Sequence, residues 1–197
     1  MDIAKAKINT AGAYIIVKGL YPFAIGIKPN RGRIPIVRFG GHREPYETGW
    51  ECAQREVYAE ANIRIRPLAT RTTYLADKDQ LEAELTEIRW GGPTYQDHIP
   101  LLVVADGRTE PASLSLMYLA QADEMPTPSS EIRGLLLLDE AAIHRLCQEP
   151  ITLGEYLRSG GKAVLRGNFD THLPLEPFVQ LRLLSRILLA QAGTQAA

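Results

Sequence analysis

The stretch Gly40 to Ile63, GGHREPYETGWECAQREVYAEANI, constrains this chain more than any other. Thr48 followed three residues later by Glu51 is a capping box, so a helix is expected to begin at about Gly49. Its amides and positive dipole end then face the preceding loop. Asn62 supplies the stop, because Asn enters the left-handed conformation with little penalty, and Pro67 follows soon after the aliphatic Ile63. Within the helix Glu56 and Glu60 stand four residues apart, which puts both carboxylates on one face with Cys52 one turn earlier on the same stripe. Ala53 and Val57 lie on the opposite, apolar face. Like charges at that spacing repel in an empty protein. Around a divalent cation they are useful, since hard ions such as Mg²⁺ take oxygen ligands from a few carboxylates and keep positions for water and phosphate. Arg55, eight residues after Glu47, is placed to turn back and bind that carboxylate bidentately, which would lock the loop onto the helix.

Taken together, Gly41, Glu47, Arg55, Glu56, Val57, Glu60 and Ile63 stand at offsets that resemble the Nudix box. Two positions depart: Ala59 stands where that family has the first acid of a Glu-Glu pair, and Asn62 where it has Gly. The resemblance implies an α/β fold, a Nudix-type α/β/α sandwich with a mixed sheet, in a domain spanning residues 1–150. It also implies metal-dependent hydrolysis of a nucleoside diphosphate linked to another group, of ADP-ribose or nucleotide-sugar type, with Mg²⁺ or Mn²⁺. By the same resemblance Glu56 and Glu60 hold the metal, the carbonyl of Gly40 or Gly41 adds a ligand, and Glu47 with Arg55 fixes the loop. Glu131, in a loop ahead of a strand, is placed like the downstream glutamate that many Nudix enzymes use as an extra ligand or as the base; Glu124, Glu84 and Glu87 are rivals. The acid missing at Ala59 makes such a helper more necessary, or else fewer metals are held. A nucleoside triphosphate pyrophosphohydrolase is the alternative among enzymes. A catalytically inactive nucleotide-binding module is the alternative outside them.

Global charge does not point to a polyanionic partner: 22 Lys+Arg against 23 Asp+Glu leave a net charge of -1. Neither a nucleic acid nor a membrane is expected as partner, and phosphate binding to a nucleotide-derived small molecule must be local. Arg31 and Arg33 in the loop Lys28 to Arg33, Arg38 beyond it, and His42 or Arg43 inside the box loop are the candidates, because guanidinium forks suit phosphate oxygens. Two cysteines, Cys52 and Cys147, make neither a disulfide framework nor a metal quartet, which fits a reducing cytoplasm. MDIAKAKINT lacks a signal-peptide layout, and the apolar run after it is interrupted by Lys18 and Pro22.

Elsewhere the pattern predicts a hairpin from strands Ala11 to Val17 and Phe23 to Ile27, a strand Ile34 to Phe39 leading into the box, and a strand Leu68 to Leu75 after it. Leu81, Leu85 and Ile88 at helical spacing suggest a short helix. Strands are expected at Ile99 to Ala105, Leu114 to Ala122 and Leu135 to Leu138, then a helix capped by Asp139. Tyr74, Trp90 and Tyr95 offer faces on which a base could stack, although single aromatics at strand ends are more often core. Residues 151–197 read as a C-terminal helical extension, with a short helix near Leu153 to Arg158 and a long one from about Glu176 to Ala192. The long helix is apolar over a face broad enough to pack on the domain or on a second subunit, which leaves a homodimer open. RSGGKA is not a phosphate-binding P-loop, since Ala163 follows the Lys and Tyr156 stands at the first Gly position. His98, His144 and His172 are scattered and read as structural.

Overall fold

Alternating apolar runs separated by Gly- and Pro-bearing turns give this chain its strands, and they divide over two sheets. The computed structural model describes residues 3–26, 32–92 and 98–195, so Arg31, Tyr95 and the tip of the loop at 28–31 lie outside the described residues. The chain divides into two compact units. One comprises the residues through Ile15, Phe39–Ala59 and Arg64–Ala122; the other comprises Ile16–Arg38, Glu60–Ile63 and the chain from Asp123.

The first unit is built on a seven-stranded sheet of β1 (Lys7–Ile16), β4 (Phe39–His42), β5 (Arg66–Pro67), β6 (Thr73–Asp77), β7 (Thr86–Ile88), β8 (Leu102–Asp106) and β9 (Ser113–Gln121). The order is β4-β1-β9-β8-β6-β7, with β5 also on β9. β6 and β8 run parallel while β8 and β9 run antiparallel, so the sheet is mixed, as expected. Helix α1 (Gly49–Ala61) buries Cys52, Ala53 and Val57 completely, and Trp50 at its start meets Tyr118 of β9 edge-on at 5.5 Å. Apolar positions one helical turn apart form that buried stripe.

The second unit carries a five-stranded sheet ordered β11-β10-β2-β3-β12, from β2 (Tyr21–Ile25), β3 (Ile34–Val37), β10 (Gly134–Leu138), β11 (Lys162–Leu165) and β12 (Leu175–Pro177). All five residues of β10 and all five of β2 are buried, the continuous apolar signature of strands at the centre of a covered sheet. Three helices belong to it: α2 (Glu140–Gln148), α3 (Leu153–Arg158) and α4 (Val179–Gln195). Asp139 caps α2 by accepting from the Ala142 amide, as predicted, and Thr152 with Glu155 forms a full capping box on α3. His144 Nδ1 lies 2.7 Å from Ser185 Oγ, and the Cys147 thiol points to the Leu181 carbonyl, so polar contacts join α2 to α4 beside the buried Leu181, Leu184 and Ile187.

Three local expectations change. The anticipated hairpin exists only as the tight turn at Lys18 and Gly19, both with positive φ (50° and 76°), closed by the Val17–Leu20 bridge; beyond it β1 and β2 enter different sheets. Segment 81–88 is not helical. Asp77 instead takes the Asp79 amide on its side chain and the Gln80 amide on its carbonyl, and Thr86 to Ile88 then pair antiparallel with β6 at the sheet edge. Three apolar residues at helical spacing lose to an Asx turn and β-branched edge residues. Residues 151–197, read as a helical extension, hold α3 and α4 but also two strands: β11 pairs with β10, and β12 runs parallel to β3.

Helix α1 stops as the pattern predicts, because Asn62 takes φ 54° and its side-chain amide donates to the Thr127 carbonyl at 3.2 Å. Replacing Asn62 with Ala forfeits that bond and forces a Cβ-bearing residue without local compensation into the left-handed region. A loss of about 1–2 kcal/mol is expected in urea unfolding, whereas Asn62→Gly should stay within a few tenths.

Candidate active site

Helix α1 begins where the capping box places it: the Glu51 amide donates to Thr48 Oγ1 at 3.1 Å and the Thr48 amide to Glu51 Oε2 at 2.8 Å. One turn further, Arg55 is the hub of the first unit's polar contacts. Its Nε and Nη2 grip the two oxygens of Glu47 at 2.6 and 3.0 Å, the bidentate fork anticipated from the spacing. Nη2 also donates to the His42 carbonyl at 3.0 Å, and Nη1 binds Glu56 Oε1. One guanidinium therefore ties together the end of β4, the loop after it and the helix.

Glu56 is held from a second side by shape. An added Cβ at Gly41 would lie 2.5 Å from the Glu56 carboxyl carbon, so the carboxylate rests on the bare Cα and any side chain there would displace it. The Gly41 carbonyl accepts the Cys52 thiol at 3.7 Å. Burial, aided by the Glu47 charge, pushes the Cys52 thiol up to about 11, so it stays protonated and serves as a weak donor, not a nucleophile. Conversely, the Arg55 hydrogen bonds hold the Glu47 carboxyl below its ordinary range, and Glu47 raises the Arg55 guanidinium in turn.

Arg43, weighed as a phosphate contact, is committed elsewhere. Its Nε donates to the Ile8 carbonyl at 3.1 Å and its Nη1 to the Glu47 carbonyl, so it braces the loop. His42 is exposed at the end of β4, with its carbonyl engaged by Arg55. Tyr74, one of the candidate stacking faces, is 5% exposed and belongs to the core.

In the second unit Arg33 is exposed and Arg38 half-buried, in the stretch around β3. Glu60, at the end of α1, is half-buried, and Glu131 is exposed in the loop before β10. That loop is stitched to the helix end. The Ser129 amide donates to the Glu60 carbonyl and the Thr127 amide to the Ala61 carbonyl, both at 3.0 Å, while the Glu131 amide donates to Ser129 Oγ at 3.2 Å. Arg166 completes the stitching by reaching the carbonyls of Pro128 and Ser129 at 3.0 and 2.7 Å. Sequence reasoning weighed Arg43 as a phosphate contact and not as a brace, and did not single out Arg166; the bonds of Arg43 to Ile8 and of Arg166 to Pro128 and Ser129 reach far along the chain, which leaves no local spacing to read. Among the described residues no cluster of three His, Cys, Asp or Glu side chains is positioned to hold a metal ion.

A cleft of about 260 Å³ in the second unit, lined by Asp139, Arg145, Tyr156 and Lys162 among others, offers less chemistry. Its polar groups are largely spent internally: the Tyr156 hydroxyl shares its one proton between the Leu137 and Lys162 carbonyls, Asp139 caps α2, and Arg145 meets Ser159 and Glu149. No helix among the described residues is long and apolar enough to cross a membrane.

Two outcomes follow from the Arg55 hub. Because Glu47 titrates below its ordinary value in the folded protein, it adds stability that is fully present above the ordinary carboxylate range and lost as pH falls through the depressed value. In Arg55→Lys, which lacks the fork, Glu47 is depressed less, so urea midpoints should fall less than those of wild type between about pH 7 and 3. Gly41→Ala should displace the Glu56 carboxylate yet cost less than about 1 kcal/mol of stability, because the group that must move is the end of a flexible side chain; urea unfolding checks it.

No protein-family model matches the chain, and no curated protein matches it. Solved structures do. A NUDIX-family hydrolase from Clostridium perfringens matches at 16% identity with a TM-score of 0.45, over 70% of this chain and 84% of that one. A NUDIX hydrolase from Nitrosomonas europaea matches at 18% and 0.41, over 70% and 76%. A MutT NUDIX hydrolase from Burkholderia pseudomallei matches at 16% and 0.41, over 77% and 95%. In structure the chain is similar, at this distance, to proteins described as Nudix hydrolases.

Proposed function

We propose that this protein is a Nudix-type hydrolase that cleaves the diphosphate linkage of a nucleoside diphosphate joined to a second group. The observation that carries this reading is the Arg55 guanidinium, which clamps Glu47 bidentately and also holds Glu56 on the bare Cα of Gly41. An ordinary amphipathic surface helix has no need of that construction.

The residues fit a divalent cation. Glu56 and Glu60 lie about 6 Å apart along the axis of one helix, a separation that follows from the helical rise. The carbonyl of Gly41, the residue against which the Glu56 carboxylate rests, adds a third hard oxygen near Glu56. Two carboxylates and a carbonyl suit Mg²⁺ or Mn²⁺, which leave further positions to water and substrate phosphates. When bound, such an ion screens phosphate charge and lowers the pKa of an associated water. The remaining work belongs to the chain. Arg55 fixes the rotamer of Glu56 so that no reorganisation is needed as charge develops, and Glu47 fixes Arg55. Glu131, on a loop fastened to the backbone at Glu60, is the group proposed to take the proton from the attacking water. Water adds to phosphorus, the bridging P–O bond breaks, and two phosphomonoesters leave. Arg33, Arg38 and His42 are the proposed phosphate contacts. A cytoplasmic setting and a nucleotide-derived small molecule as substrate complete the reading.

The purified protein, with Mg²⁺ and then Mn²⁺, is tested against ADP-ribose, nucleotide sugars, dinucleoside polyphosphates and nucleoside triphosphates. Metal-dependent turnover is expected on a diphosphate-linked substrate, and Glu56→Gln should lower kcat on the order of 10² to 10³-fold while thermal unfolding is retained. Glu131→Gln should flatten the acid limb of the pH–rate profile. Near-normal turnover in Glu56→Gln refutes the metal assignment. Nucleotide-induced stabilisation without turnover would instead favour the binding module, to which Ala59 already points.

A further inference from the structure

Between β4 and α1 the chain makes a turn whose chemistry does not match its conformation. The Glu47 amide donates to the Glu44 carbonyl at 3.3 Å, closing a four-residue turn with Pro45 and Tyr46 at its centre. Pro second and a positive φ third define a type II turn, and Tyr46 has φ 72°. Glycine is the residue suited to that place, and asparagine the usual substitute; a tyrosine there is strained. Nothing in the fold compensates for it through packing, because Tyr46 is 101% exposed, the most exposed of the large hydrophobic side chains described.

The mount beneath this ring is rigid. The Glu44 amide donates to Glu47 Oε2 at 2.9 Å, Arg43 holds the Glu47 carbonyl, and Arg55 holds both Glu47 oxygens. The turn is thus pinned from the strand side and the helix side, and its right-hand neighbour Glu47 is bonded through Arg55 to Glu56. A strained backbone kept in place by five polar contacts, presenting an aromatic face wholly to solvent, is a surface prepared for another aromatic group. Offset stacking on an unobstructed ring accepts any planar base and needs no hydrogen-bond partner.

We infer that Tyr46 is a substrate-specificity residue whose ring stacks on the aromatic base of the nucleoside while the diphosphate lies at Glu56. The inference rests on the hydrolase reading and deepens it: the recognised end of the substrate is the planar, base-bearing one, and the group beyond the diphosphate is read elsewhere. A nucleotide is preferred over a protein partner as occupant because the ring stands wholly in solvent, in a sequence stretch flanked by Glu44 and Glu47 and not in an apolar run.

The test compares wild type, Tyr46→Gly and Tyr46→Phe on the nucleoside diphosphate ester that wild type turns over best, and on the same ester carrying ribose without the base. Tyr46→Gly should raise the melting temperature by relieving the turn, yet raise KM for the base-bearing ester roughly tenfold with kcat held within about twofold. It should leave KM for the base-less ester unchanged. Tyr46→Phe, which keeps the ring, should match wild type on both. A purely structural role predicts the opposite sign for stability and no difference between the two esters. Unchanged KM in Tyr46→Gly on an active enzyme overturns the stacking role alone. Wild-type protein inactive on every diphosphate ester, with no nucleotide raising its melting temperature, overturns the hydrolase reading and the stacking role together.

Discussion

The pairing of Arg55 with Glu47 is the contact on which the candidate site depends. Loops are entropically expensive to hold, and the six residues between His42 and the start of α1 have no strand or helix of their own. A single planar cation, with its donors shared among Glu47, Glu56 and the His42 carbonyl, substitutes for secondary structure there. Arg serves where Lys would not, because only a rigid fork can meet two oxygens of one carboxylate and still donate to two further acceptors. Once that fork is closed, the position of Glu56 against Gly41, the orientation of the Cys52 thiol and the turn bearing Tyr46 all follow.

The same wiring separates groups that look alike in a sequence. Arg43 and Arg55 both lie in or beside the box loop and carry equal charge, but one spends its donors on carbonyls of Ile8 and Glu47 and the other mainly on the carboxylates of Glu47 and Glu56. The first holds the loop to β1; the second sets the electrostatics. Likewise the thiol of Cys52 shares a helical stripe with Glu56, yet complete burial suppresses its ionisation. Role follows from what each group touches, which residue type alone does not specify.

What could be read in advance was local. The capping box at Thr48 and Glu51, the left-handed stop at Asn62, and the reach of Arg55 to Glu47 each depend on residues within eight positions of one another, and each is present. The box loop's second arginine and Arg166 depend on carbonyls 35 and 37 or 38 residues away in the chain, and no pattern announces them. The division of strands between two sheets was hidden for a related reason. A tight turn at Lys18 and Gly19 signals a hairpin, but the partners that β2 finds, β3 and β10, are chosen by burial of Phe23 and Ile25 over long sequence separations. Segment 81–88 shows the reverse error, where a helical period in three residues was weaker than a turn and a free sheet edge.

The second sheet ends in a strand that arrives late. β12 supplies the parallel neighbour of β3, with Leu175 opposite Ile34 and Pro177 opposite Ile36, and β11 covers the other flank of β10. During synthesis β2 and β3 leave the ribosome with neither β10 nor β12 available, so Ile34 and Ile36, both buried in the finished protein, wait beside an open row of backbone donors and acceptors. Folding of this unit is consequently tied to the emergence of residues 175–177, and a nascent chain stalled before residue 175 presents an apolar strand edge open to pairing with other chains.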